Sequence, residues 1–456
     1  MRKLVIIGGG PAGIAAAAEA GRLGALVTII ESEHLGGRAV WHSLLPSKVW
    51  LAAAERLGSY GHDPLLGLHP AVERIDFGAL TARIAALSAI TRDRHQSELD
   101  GLGVRVQHGA ASLVDARHVR VKDGEGESVL EADAVILATG SGPRLLPQVK
   151  PDGKRILAPR LMSHQAALPG SMIVMGAGVT GAEYAYLFSQ LGAPVTWVTD
   201  LPEILPVSDS DISGHLASTL AGRGVIILTD SPVESAIADD GGVTVMLRGG
   251  QTLRAEGAFI ALGRIPHTAG LNLEAAGLAV GPSGIAVDGF GQTAVPGIYA
   301  VGDVTGPPMT ANKGMAQGLI AARHALGAPV APYRAEAVVE AIYTEPQIAQ
   351  VGLTEKAAAA AGQTVIAVRR DYAANLKAHL TGETGGFVKL VIDPATGNVR
   401  GAAAVGSHAA DVIAAVAALL PRSLTLDDLK PVFAGHPTLS ELVFDLARWA
   451  RPEDTL

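Results

Sequence analysis

An α/β architecture, two doubly wound parallel-sheet domains followed by a smaller α+β domain, is what this sequence predicts, and three observations carry the prediction. An apolar strand, a GxGxxG loop, an alanine-rich helix and a second strand follow one another over residues 3–31, and the same grammar returns over 172–198. The chain has 456 residues, enough for about two to three domains at ~150 residues each, with 48% hydrophobic and 18% charged side chains. A Gly/Pro-rich stretch at 327–332 then separates a C-terminal segment with its own strand and helix patterns.

Residues 4–7 (Leu-Val-Ile-Ile) are a short, wholly apolar run, as expected of a parallel strand buried on both faces. The loop occupies 8–13, a helix is expected over 14–23, and a second strand over 26–30 ends at Glu31. In the repeat the strand is 172–175, the loop 176–181, the helix 182–191 and the next strand 195–198. Residues 134–137 read as another buried strand followed by the turn-rich 138–143, and 258–266 repeats that arrangement. Residues 297–303 read as a strand closing on an acid, with a helix behind it at 315–326. Beyond the linker, strands are expected at 386–392 and 399–405 and helices at 409–420 and 439–449. The expected domains are 1–145 with 270–330, 146–269, and 333–456.

Composition removes several functional classes. With 36 Lys+Arg against 44 Asp+Glu, a net charge of -8 and no dense basic stripe, the chain is ill suited to track a phosphate backbone. It has no cysteine, which excludes disulfides, thiolate metal sites, cysteine nucleophiles and dithiol relays, and no metal site is predicted. The N-terminal apolar run stops at Gly8, and the apolar stretch 402–420 is broken by Ser407, His408 and Asp411, short of the ~20 residues a membrane span needs. The expectation is a soluble, cytoplasmic protein.

Each glycine loop enters a helix directly from a buried strand. Small residues there let the backbone approach a pyrophosphate, whose charge meets the unpaired N–H groups and positive dipole end of the helix. Gly8, Gly10 and Gly13 are therefore candidate dinucleotide contacts, as are Gly176, Gly178 and Gly181; a bare packing role is the alternative. Glu31, about 20 residues past the first loop, is where a carboxylate receives both ribose hydroxyls. In the repeat Thr199 takes that place, Asp200 follows, and 199–209 holds no Lys or Arg for a 2′-phosphate. NADH is favoured, and use of either nicotinamide stays open.

These motifs together resemble the flavoprotein disulfide reductase family, and most closely its lipoamide dehydrogenase branch, over nearly the whole chain. The resemblance rests on the first loop with Glu31; Gly36-Gly37 leading to Pro46-Ser47-Lys48; Ala138-Thr139-Gly140-Ser141; the second loop with Glu183; Gly263-Arg264-Ile265-Pro266; Gly302-Asp303; and His436-Pro437-Thr438-Leu439-Ser440-Glu441. It implies two Rossmann-like dinucleotide-binding domains and a C-terminal α+β dimerisation domain, with FAD and NADH or NADPH as cofactors in a homodimer. It also implies cofactor contacts at Gly37, Lys48, Ala110, Thr139, Gly140, Asp303, Ala311 and Gly263. Asp303 matches the family residue that holds the ribityl chain, and Lys48 and Glu183 match an ion pair beside the flavin ring.

One departure decides the implied activity. The family's two redox cysteines fall on Ala39 and Leu44, so thiol exchange with a disulfide substrate has no sulfur to work with. The resemblance is then strongest to a cysteine-lacking branch similar to NAD(P)H:quinone reductases. Ala39, Val40, Leu44 and Leu45 make the former dithiol segment apolar, which suits a flat aromatic acceptor or merely fills a cavity. Val179 stands where some members carry an aromatic gate, so nicotinamide entry is expected to be ungated. His436 and Glu441 match the family's thiol-deprotonating pair; here they either protonate a quinone oxygen or, through Thr438 and Glu441 as a capping box, only start the last helix. Transhydrogenation between nicotinamides and a catalytically degenerate binding or sensor flavoprotein remain as alternative activities.

Overall fold

The computed structural model describes residues 1–61, 75–165 and 167–449. Residues 450–456 of the expected C-terminal domain lie outside the described residues. The chain divides into two compact units, one of 1–47, 78–144 and 263–334, the other of 48–77, 145–262 and 335–456. Residues 145–262 and 335–449 are grouped in the second unit.

The first unit is built on a five-stranded sheet in the order Ile298–Ala300, Ala134–Leu137, Lys3–Ile7, Leu26–Glu31, Arg105–His108, every pair parallel. Ile6 lies opposite Ile29 on one side and Ile136 on the other, all three fully buried, as the uninterrupted apolar runs require. Helix Pro11–Arg22 starts earlier than the expected 14, because Pro11 presets the first turn and Gly13 is a packing residue within it. It meets helix Ala311–Ala325 through small residues: a Cβ on Gly318 would lie 2.2 Å from the Ala12 carbonyl. That helix also starts ahead of the expected 315, with Gly314 inside its first turns. The strand expected over 297–303 is shorter, Ile298–Ala300, and continues as a 3-10 turn at Gly302–Thr305. A three-stranded antiparallel sheet, Ala110–Leu113, His118–Asp123 and Gly126–Glu131, completes the unit.

The second unit repeats the design. Its parallel sheet runs Ile226–Leu228, Val195–Val198, Met172–Met175, Gly257–Ile260, Ile156–Leu157. Helix Val179–Gln190 again begins ahead of the expected 182 with a glycine in its first turn. Three antiparallel strands, Val233–Asp239, Gly242–Leu247 and Thr252–Ala255, follow. The C-terminal part is an antiparallel sheet ordered Glu340–Ile342, Gln347–Gly352, Val399–Gly406, Phe387–Ile392, Ile366–Asp371. Its core takes in Leu390, Ala404, Val412, Val416, Leu442 and Leu446. The helix expected over 409–420 is split at Ile413 into Ala409–Val412 and Ala414–Leu419, and ends in a 3-10 turn at Pro421, which has no N–H to continue an α ladder. The last helix is Glu441–Trp449, two residues shorter than expected. No helix among the described residues is long and apolar enough to cross a membrane.

Candidate cofactor and catalytic site

The two glycine loops fold alike and for the same reason. A Cβ on Gly13 would lie 1.9 Å from the Gly8 carbonyl oxygen, and one on Gly181 2.1 Å from that of Gly176, so only hydrogen lets each helix sit this close to its loop. Gly13 and Gly181 thus pack their helices against the loop backbone. Gly10 and Gly178 differ: each is the helix N-cap, no side chain caps the helix, and a Cβ would meet nothing within 4 Å. The first-turn N–H groups of both helices thus open onto space at the C-terminal edge of a parallel sheet, the place where such sheets take dinucleotides. A Cβ on Gly37 would approach the Gly10 Cα to 2.9 Å, which keeps this glycine against the first loop.

Glu31 sits at the end of its strand and braces that loop. Its Oε2 accepts the Gly9 N–H at 2.6 Å and its Oε1 the Glu33 N–H at 2.7 Å. A carboxylate has about four lone-pair sites, so both oxygens keep capacity for a ribose. Asp303, in the same unit, is held on one oxygen: Ser141 Oγ donates to its Oδ2 at 2.5 Å and Arg264 Nη2 at 2.9 Å. Arg264 Nε also donates to Ser141 Oγ at 2.8 Å, and Arg38 Nη1 to the Ser141 carbonyl at 3.2 Å. Thr139 and Gly140 form the turn beside them, fixed by Thr139 Oγ1 to the His267 carbonyl and His267 N–H to the Gly140 carbonyl. Gly263 receives the Arg144 N–H, Ala311 is the first residue of its helix, and Ala110 is an exposed strand residue opposite Lys122.

Lys48 and Glu183 meet as the motifs imply. Lys48 Nζ donates to both Glu183 oxygens, at 2.7 and 2.8 Å, and Glu183 is 4% exposed on helix Val179–Gln190. Lys48 lies one turn after Leu44 on helix Leu44–Gly61, so the two side chains share a helix face. Val40 is buried, whereas Leu44 stays 44% exposed. Val179 is exposed too, at the mouth of the second loop.

Thr199 is buried, and its Oγ1 accepts the Leu201 N–H at 3.1 Å. The capping box at the last helix is only half made: Glu441 Oε2 accepts the Thr438 N–H at 2.8 Å, but Thr438 Oγ1 donates instead to the Gly435 carbonyl. Glu441 Oε1 lies 2.9 Å from His436 Nδ1. Partial burial pushes the Glu441 carboxyl up, but the Thr438 N–H and His436 outweigh it and hold the group below the ordinary carboxylate range.

Sequence reasoning missed the donors around Asp303, the Gln317 side chain that accepts the Gly302 N–H at 2.9 Å, and a buried charge cluster. In that cluster Lys389, 2% exposed, donates to Asp209, Asp211 and Glu355 at 2.8, 2.8 and 2.7 Å, fastening the C-terminal sheet to helix Ser210–Gly222 within the second unit. A lysine at the centre of the otherwise apolar run Phe-Val-Lys-Leu-Val-Ile was the available signal.

Residues 2–318 match the pyridine nucleotide-disulphide oxidoreductase family, and 338–447 match the dimerisation domain of the same family. The chain belongs to the pyridine nucleotide-disulphide oxidoreductase family. It is 34% identical over its full length, and 95% of the relative's, to a Mycobacterium tuberculosis protein named NAD(P)H dehydrogenase (quinone). It is 33% identical to the dihydrolipoyl dehydrogenase of Zymomonas mobilis, over 98% of each chain. Among solved structures, LpdA of M. tuberculosis superposes with a TM-score of 0.93 at 34% identity, covering 98% of this chain and 99% of that one. Members of this pyridine nucleotide-disulphide oxidoreductase family use FAD and NAD(P)H, and the residues present suit both: two uncapped helix N-termini with open space at Gly10 and Gly178, and a strand-end Glu31 beside the first.

Proposed function

We propose that this flavoprotein pyridine nucleotide oxidoreductase acts as a homodimer that takes reducing equivalents from NADH or NADPH and delivers them to a quinone-like acceptor rather than to a disulfide. The observation that carries the reading is the Lys48–Glu183 pair, retained at 2.7 Å in a chain with no cysteine, one helical turn from the Leu44 that replaces a thiol. The relative named NAD(P)H dehydrogenase (quinone) supports it.

Bound FAD supplies the two-electron chemistry between nicotinamide and acceptor. The chain does the rest. The first-turn N–H groups after Gly10 receive the pyrophosphate, Glu31 the adenosine ribose, and Asp303, aimed by Ser141 and Arg264, the ribityl hydroxyls. The N-terminus after Gly178 receives the nicotinamide dinucleotide. Lys48 would hold a positive charge for the ring, and buried Glu183 fixes the distance at which that charge is held. Ala39, Leu44 and Leu45, backed by buried Val40, offer an apolar face to a flat acceptor, and His436, with Glu441 on its Nδ1, holds a proton for the acceptor oxygen.

The test is anaerobic mixing of the FAD-loaded protein with NADH or NADPH, followed by menadione. Fast flavin reduction and fast, saturable reoxidation are expected. Reduction without reoxidation by quinone would overturn the acceptor assignment, and no reduction by either nicotinamide would overturn the enzyme.

A further inference from the structure

The pair Lys48–Glu183 has a third member that no motif announced. Tyr343, directly after strand Glu340–Ile342 of the C-terminal sheet, carries the Lys48 ammonium over its ring at 4.7 Å from the centroid. Its backbone N–H donates to Glu183 Oε1 at 3.1 Å, the oxygen that already accepts from Lys48 at 2.7 Å. One residue therefore touches both partners, the cation through its π face and the carboxylate through its main chain. We infer that Tyr343 is a positioning residue for Lys48, and that the C-terminal sheet sets where the positive charge beside the flavin stands.

The physical argument is one of freedom. Lys48 keeps 32% of its side chain exposed, and a lysine ammonium is a point charge on a flexible stem. Glu183, buried on its helix, fixes the distance of that ammonium but not its direction of approach, since both carboxylate oxygens accept it. The Tyr343 ring closes one side, attracting the cation electrostatically and denying it that arc of solvent. Tyr343 as a whole is 40% exposed, but burial of its hydroxyl, with the Glu183 and Asp411 carboxylates, raises that group above its ordinary value and keeps it neutral. A neutral π face next to the ammonium adds attraction without adding a competing anion.

The inference rests on Lys48 acting at the flavin, and the experiment separates the two. In FAD-loaded protein, the rate of flavin reduction by NADH and the flavin midpoint potential are measured for Tyr343→Leu, Tyr343→Phe, Lys48→Met and the Lys48→Met/Tyr343→Leu double variant. Tyr343→Leu is expected to slow reduction about 2- to 30-fold, the range of a cation–π contact, and to make the potential more negative. Tyr343→Phe, which keeps the ring, is expected to stay within about twofold, and Tyr343→Leu is expected to add nothing once Lys48 is gone. Phenylalanines of increasing fluorination at 343 keep the shape and withdraw the π charge; graded loss along that series supports the inference even if Tyr343→Leu does not fold. If Lys48→Met slows reduction and Tyr343→Leu does not, or if Phe is as harmful as Leu, the Tyr343 assignment is overturned and the Lys48 reading stands. Should Lys48→Met change neither rate nor potential, the Lys48 reading itself falls, and this inference with it.

Discussion

Glu183 is almost wholly buried, and the ammonium of Lys48 contacts both of its oxygens at 2.7 and 2.8 Å. A buried carboxylate with one cation is costly to strand, because losing the partner leaves an uncompensated charge rather than a missing bond.

Lys48→Met should therefore act twice. Flavin reduction by NADH should fall about 10²-fold, the scale of removing one preorganised electrostatic contact. Unfolding in denaturant should show a loss of about 1–3 kcal/mol, at the low end for a stranded buried charge because Lys48 is partly solvated. Normal reduction rates would refute the role of the pair.

Gly10 and Gly13 should separate binding from folding. Gly10→Ala places a methyl where the chain has nothing within 4 Å, so the flavin-free protein should keep its Tm while FAD affinity falls at least about tenfold. Gly13→Ala drives a Cβ against the Gly8 carbonyl and should lower the Tm of the flavin-free protein itself. Equal Tm losses in the two variants would contradict this division.

Leu44 should be visible as a spectrum that does not appear. Partial dithionite reduction of the FAD-loaded protein should give no thiolate-to-flavin charge-transfer band. Such a band would be incompatible with a chain that has no sulfur nucleophile.

Stability should depend on pH at both ends, with opposite signs. Burial pulls the Lys389 ammonium down, but Asp209, Asp211 and Glu355 outweigh it and hold it above the usual 10.5. A raised folded-state value gives stability that is complete below the unfolded value and is lost as pH rises through the folded one. Tm should thus fall above pH 10.5 by a component that Lys389→Met lacks. Glu441 is the reverse case, held below 4.5, so its contribution is present above that value and lost as pH falls. Differential scanning across pH 3 to 6 should show a shallower acid limb for Glu441→Gln than for the unmodified chain.

Much of this fold was legible in the sequence, for a local reason. Residues 4–7, 134–137 and 172–175 are strands buried on both faces, and an unbroken apolar run has few other places to go. Helix starts were read late at 14, 182 and 315 because Gly13, Gly181 and Gly314 look like breakers, whereas close packing makes them helical. Of the candidate site, Lys48 and Glu183 were found through their motifs. Tyr343 was not, since its partners lie far away in sequence and no motif covers residues 340–343. Arg264 was seen as part of a turn, and only the fold brings its guanidinium onto Ser141 and Asp303.

The replacement at Ala39 and Leu44 also fixes how much charge one protomer can store. A relative with a flavin and a dithiol can be loaded with two electron pairs, one on each centre. This chain has a single centre, so each protomer must discharge completely before it can be loaded again. On the proposed function, turnover should then alternate donor and acceptor with no second store between them, and a reductive titration should close after one pair per flavin.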